Sequence, residues 1–158
     1  MKKVLFILTL VAASLAMTSC GGNKYSNDKF GYSIELPSGF KAQNDDKQME
    51  EERGGKLFVN DKGGMIDVEC EDKSEAMVTP EEMVSVAIEW AASGSEVIAQ
   101  EVNGAEGWIK WKDDFGYRAL YYKCTPEKKM YNISVTYSED CKADFDNDVD
   151  KLFKSLAV

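Results

Sequence analysis

From Phe30 onward the chain is written in two hydrophobic periods. Tyr32, Ile34 and Leu36 alternate with Ser33 and Glu35, the period-two pattern of a half-buried strand, and Pro37 ends it. The charged stretch from Asp45 to Arg53 has no such period and reads as a solvated loop. KLFVN and MIDVEC, at residues 56–60 and 65–70, are short β-type runs joined by the turn DKGG, and they predict a hairpin. In its second strand Ile66, Val68 and Cys70 share one face, Asp67 and Glu69 the other.

The period then changes. Thr79 is placed to cap a helix, Pro80 suits its first position, and Glu82 completes a capping box. Met83, Val84, Ala87, Ile88 and Ala91 recur at helical spacing, and Gly94 can stop the segment, so the helix is predicted over 80–93. Four β-type segments follow at 96–102, 106–112, 117–124 and 129–137, separated by turns too short for a crossover helix. They predict an antiparallel meander whose last strand aligns Tyr131, Ile133, Val135 and Tyr137 on one face. Phe145, Val149, Leu152, Phe153 and Leu156 then mark a closing helix over 141–156. The sum is an α+β domain at 30–158, with an antiparallel sheet of about six to seven strands packed with two helices.

Ahead of it, Lys2 and Lys3 precede an uncharged apolar run from Val4 to Ala16, too short to span a bilayer, and then Met17, Thr18, Ser19 and Cys20. This arrangement resembles the bacterial lipobox, whose cysteine is acylated on its thiol before cleavage and on its amino group afterwards. The resemblance implies a signal peptide at 1–19, lipidation of Cys20 and a membrane held through the acyl chains, since two or more chains anchor stably where one does not. Residues 20–29 then read as the lipidated cysteine and a flexible tether. No run of acids follows Cys20, which points to an outer membrane site facing the periplasm.

Cleavage would take 19 of 158 residues, leaving 139, and move the formal charge from −9 to −11, because Lys2 and Lys3 leave and no acid does. Such a surface repels phosphate backbones, so nucleic acid is not an expected partner. Cys70, Cys124 and Cys141 remain; one intramolecular pair could form, and position in the meander makes Cys124 with Cys141 the least favoured. With no histidine in the chain, neither a cysteine nucleophile with its base nor a zinc site is expected, and no cofactor is implied.

The acids have ordinary roles available. In DFDNDVD, residues 144–150, the sixth position of a calcium loop is Val149 instead of glycine, and acids early in a helix complement its dipole. Asp113 and Asp114 stand beside Gly116 in a turn. The aromatics carry more interest: Trp90, Trp108, Trp111, Tyr117, Tyr121, Tyr122, Tyr131 and Tyr137 crowd one helix and the meander. Trp108, Trp111, Tyr117 and Tyr121 are the candidates for an interface or ligand surface, and the opposite pleat parity of Trp108 and Trp111 predicts that at least one faces outward.

FGYSIELPSGF at 30–40, the turn VNGAEG at 102–107, the aromatic meander and the final amphipathic helix together are similar to the PsbP-like or DcrB-like family. The resemblance implies an antiparallel sheet sandwiched by helices and an accessory, non-enzymatic role on an exported face. Three readings follow: an envelope lipoprotein that docks on a protein partner, a module holding a small amphipathic ligand, and a carboxylate hydrolase. The first is the expectation carried forward.

Overall fold

The computed structural model describes residues 23–43 and 47–158. The signal segment and Cys20 lie outside the described residues. Nine strands and three helices follow in order: β1 (Asn23–Asn27), β2 (Tyr32–Leu36), β3 (Lys41–Ala42), α1 (Lys47–Arg53), β4 (Lys56–Val59), β5 (Met65–Asp72), α2 (Pro80–Ala91), β6 (Glu96–Asn103), β7 (Glu106–Asp113), β8 (Gly116–Cys124), β9 (Lys129–Tyr137) and α3 (Lys142–Ser155), the last entered through a 3₁₀ turn at Glu139–Cys141. The predicted α+β class, hairpins, meander and two long helices are all present.

Two stretches differ from the sequence expectation. Within the stretch read as a tether, Asn23–Asn27 is strand β1, paired residue for residue with β2 from Asn23 opposite Leu36 to Asn27 opposite Tyr32. Its polar letters conceal one apolar contact: the Tyr25 ring meets Phe58 edge-on, 5.1 Å between centroids. Within the stretch read as a loop, α1 forms a short helix, whose Glu50 pairs with Lys56 at 3.1 Å.

The main sheet is antiparallel throughout, in the order β3-β4-β5-β9-β8-β7-β6. The last strand therefore does not lie at an edge. β9 inserts beside β5 across eight residue pairs, Met65–Asp72 against Thr136–Lys129, and welds the hairpin to the meander.

Both faces of the sheet are covered. On one, Ile66 and Val68 of β5, Tyr121 of β8 and Ile133, Val135 and Tyr137 of β9 pack against Phe145, Val149, Leu152 and Phe153 of α3 and against Tyr32 and Ile34 of β2. On the other, Val84 and Ile88 of α2 cover Ile109, Trp111, Cys124 and Met130. α2 contacts β6, β7 and β8, and its core takes in Met130 at the start of β9; Leu57, Asp67 and Ser134, on the same face of β4, β5 and β9, belong to neither core. The capping box that starts α2 is complete: Thr79 Oγ1 accepts from Glu82 N–H, and Glu82 accepts from Thr79 N–H. Phenol hydroxyls brought into the larger core are satisfied, Tyr137 donating to Asp148 Oδ2 at 3.0 Å and Tyr131 to the Phe30 carbonyl at 3.0 Å.

The β7–β8 turn depends on Gly116. Its φ is +127°, and a Cβ there would come within 2.2 Å of the Tyr137 carbonyl oxygen on β9. Gly104, at φ +61°, faces open space. Gly116→Ala is therefore expected to lower stability by about 3 kcal/mol and Gly104→Ala by about 1 kcal/mol. Urea midpoints of the two variants check the order; equal losses would mean that the close approach to β9 is relieved at no cost.

Candidate interaction surface

Parity and burial separate the four aromatic candidates. Trp108 and Trp111 do face opposite sides of β7, as the pleat requires, but neither face of the sheet is bare at this point. Trp111 is only 9% exposed and lies under α2. Tyr117 and Tyr121 are core residues of the other face, Tyr117 tilted on Phe145 at 5.5 Å and Tyr121 stacked on Phe153 at 5.2 Å. Burial raises the Tyr121 hydroxyl well above the ordinary phenol range, and Glu106 adds to the rise. Trp108 is half-buried beside α3, with the Lys110 ammonium 5.3 Å from its ring centre and Lys110 in turn paired with Asp150.

Trp108 and Tyr121 do share a groove, with Phe153, Glu101, Glu106 and Lys154 around it. Its volume is about 260 Å³, below the range in which small-molecule sites ordinarily fall. A larger depression of about 580 Å³ lies where Gly94–Glu96 meet the β7–β8 turn, and two of its four acids, Asp113 and Glu139, are engaged. Glu139 pairs with Lys112, and Asp113 accepts from Arg118 Nε at 3.2 Å and from the Phe115 N–H at 2.9 Å. Asp113 is thus a turn acid with a guanidinium partner.

The acids of the 144–150 run are divided in the same way. Asp144 binds Lys62 at 2.6 Å, Asp146 binds Lys142, Asp148 receives the Tyr137 hydroxyl and Asp150 binds Lys110. The three thiols are also apart and unbonded: Cys70 is buried on the face under α3, Cys124 on the face under α2, and Cys141 is half-buried at the start of α3. Burial pushes the Cys70 and Cys124 thiols up from their ordinary values, which disfavours the thiolate.

The exposed apolar side chains are elsewhere. Trp90 on α2 is 75% exposed and Phe115 at the β7–β8 turn 78%; Val86 on α2, Val97, Ile98 and Val102 on β6, and Met65, Met77, Val78 and Val158 are exposed as well. Val86 and Trp90, four residues apart, lie on one flank of α2, turned away from Val84 and Ile88. Phe115 was the residue that sequence pattern passed over, because a lone aromatic in a turn has no period to reveal it. The edge strand β6 is exposed at every position except the partly buried Ala99.

Among the described residues one buried carboxylate oxygen, Oδ1 of Asp67, is left without a hydrogen-bond partner. Asp67 lies on the face of β5 turned away from the larger core, between Leu57 of β4 and Ser134 of β9. Burial, and then the neighbouring Glu69, raise its carboxyl to about 6, against a small opposing contribution from the Val68 N–H.

The chain matches no known protein family, and no curated protein resembles it in sequence. Among solved structures it is similar to cyanobacterial PsbP (CyanoP) from Synechocystis sp. PCC 6803, at a TM-score of 0.56 and 16% identity over 90% of this chain and 98% of that one. It is also similar to a protein of Bacteroides thetaiotaomicron VPI-5482, at a TM-score of 0.49 and 13% identity over 87% of this chain and 48% of that one. The fold is PsbP-like.

Because the folded Asp67 carboxyl titrates above its ordinary 3.8, the folded state disfavours its ionised form. The stability it allows is complete below pH 3.8, declines as the unfolded chain ionises first, and is lost once pH has risen through about 6. Asp67→Asn is expected to stabilise the protein at pH 8 by about 1 kcal/mol, after allowance for solvent screening, and to leave it unchanged at pH 3.5. Chemical denaturation of both chains at the two pH values measures the difference. A loss of stability at pH 8 would show that the carboxylate has a partner worth more than its desolvation.

Proposed function

We propose that this protein is an envelope lipoprotein, anchored by acyl chains on Cys20, that acts as an accessory subunit by docking on a protein partner through exposed apolar side chains. The observation that carries the docking role is that two large rings, Trp90 and Phe115, are left 75% and 78% exposed in a chain otherwise rich in acids. Large exposed rings are costly in water and are the residues that interfaces use as anchors. The anchor rests on the lipobox-like Met17-Thr18-Ser19-Cys20 sequence behind two lysines and an apolar run. Among the described residues no helix is long and apolar enough to cross a membrane, so attachment in this reading comes from the lipid.

An accessory role without catalysis fits the ion pairs that occupy Asp113, Glu139 and the acids of 144–150. A carrier of small amphipathic ligands is the second reading, and the groove beside Trp108 is its place. Its modest volume and the cation already over the indole favour the docking role instead.

The docking role is tested by photo-cross-linking in intact envelopes from positions 90 and 115, with position 108 for comparison. One protein recovered at constant stoichiometry from Trp90 or Phe115 supports it; lipid or small molecules recovered only from Trp108 would replace it with the carrier. Trp90→Ala with Phe115→Ala is expected to reduce partner recovery at least tenfold while changing stability by under about 0.5 kcal/mol, since both rings are exposed. Cys20→Ala is expected to abolish acyl labelling and shift the chain out of the membrane fraction. Retention of labelled lipid by that variant would remove the anchor at Cys20.

A further inference from the structure

The geometry points to self-association: we propose that β6 pairs antiparallel with β6 of a second copy, joining two seven-stranded sheets across a two-fold axis at Gln100. β6 is the free edge of the sheet, eight residues long, and alternate residues of such an edge leave their backbone N–H and C=O facing solvent. The opposite edge, β3, is two residues long and offers no comparable ladder. β6 also lacks the proline and lysine that commonly guard an edge, and it exposes Val97, Ile98 and Val102 at 46%, 50% and 44%.

Its sequence selects one register against itself. Centred on Gln100, the pairing sets Gln100 opposite Gln100, Glu101 opposite Ala99 and Val102 opposite Ile98, so apolar meets apolar and no like charges oppose. A shift of two positions one way sets Glu101 against Glu101; the other way it sets Glu101 against Val97 and Val102 against Glu96. A shift of one would exchange the faces. Ile98 is the extra residue of a bulge between Val97 and Ala99, so the regular part of β6 runs from Ala99 to Asn103; the joint ladder is centred on Ala99 to Glu101, with Ile98 and Val102 at its ends, and the bulge stops it from extending further.

The symmetry has a consequence for attachment, which rests on the proposed anchor at Cys20. A two-fold axis through a continuous antiparallel ladder stands normal to the sheet. It keeps both α2 helices on one face and both β1–β2 ribbons on the other, since the ribbon packs with the core under α3. Two N-termini on one side of a joined sheet can reach the same membrane.

Cysteine cross-linking on the full chain in intact envelopes tests this, in a Cys141→Ser background with an added oxidant. Gln100→Cys is expected to give a disulfide-linked homodimer on a non-reducing gel, because directly opposed residues in a ladder fit disulfide geometry. Asn103→Cys is expected to give none, its two copies being roughly 20 Å apart in this register. In the Gln100→Cys chain, Ile98→Lys should cut the dimer at least fivefold, and adding Val102→Glu should restore it. Absence of the Gln100→Cys homodimer, equal linkage from Asn103→Cys, or linkage to a different protein would overturn the pairing. The mass of the Cys20 peptide, read from the same samples, reports the anchor separately: an unacylated chain that still dimerises removes the anchor and keeps the pairing, while an acylated chain that stays monomeric does the reverse.

Discussion

The pairing of β5 with β9 is the constraint on which the molecule's shape depends. It is the longest-range ladder in the main sheet, closing about sixty residues of chain between strands that carry the same alternation, buried toward α3 and polar or open on the other side. Once β9 is committed to β5, the meander can only extend away from it, so β6, its first strand, is forced to the far edge. The link from β5 to β6 must then cross over the sheet, and α2 is that link. A helix laid along this crossing covers the strands beneath its path, β7 and β8, and cannot also cover β4 and β5. The free edge, the exposed outer flank of α2 and the half-face around Asp67 that α2 does not reach are thus three results of a single pairing.

Coverage also explains the two unequal cores. The face under α3 receives large rings from several directions, including Tyr32, Phe58, Tyr117, Tyr121, Tyr137, Phe145 and Phe153, and the β1–β2 ribbon fills what α3 does not reach. Rings of this size bring hydroxyls with them, and each that goes under must find an acceptor or lose hydration uncompensated. Asp148 and the Phe30 carbonyl serve that need for Tyr137 and Tyr131. The face under α2 is made of smaller or single large groups, Val84, Ile88, Ile109, Trp111 and Met130, with Tyr122 half-buried against them.

Much of the framework was legible because local rules and tertiary packing agree. Thr79, Pro80 and Glu82 specify the start of α2 by chemistry confined to four residues, and the turns of the meander lie where Gly and Asn permit them. What escaped depended on partners distant in sequence. β1 consists of Asn, Lys, Tyr, Ser and Asn, with no alternation to show, and exists because β2 supplies its ladder and Phe58 a seat for Tyr25. The aromatic candidates escaped for a related reason. Parity correctly placed Trp108 and Trp111 on opposite faces, but a face becomes a surface only where no element covers it, and coverage follows from the strand order. Trp90 and Phe115 are exposed because one is on the outer flank of a crossing helix and the other at a turn tip.

The early start of β1 bears on any attachment through Cys20. With Asn23 already in the ladder, two residues, Gly21 and Gly22, stand between Cys20 and the first described strand in the sequence, and the three peptide steps from Cys20 to Asn23 reach at most about 11 Å. A ten-residue tether would allow the domain to tumble freely above a bilayer; an acylated Cys20 would instead keep the Asn23 end of the ribbon close to it. Asn23 is opposite Leu36 and bonded to the Pro37 carbonyl, so the bilayer would meet the β1–β2 side of the domain, where the larger core and α3 lie. α2, on the opposite face, would then point away from the membrane with Val86 and Trp90 presented outward. In that geometry the lipid sets orientation as well as location, and the side of the fold least occupied by its own packing is the side turned toward other proteins.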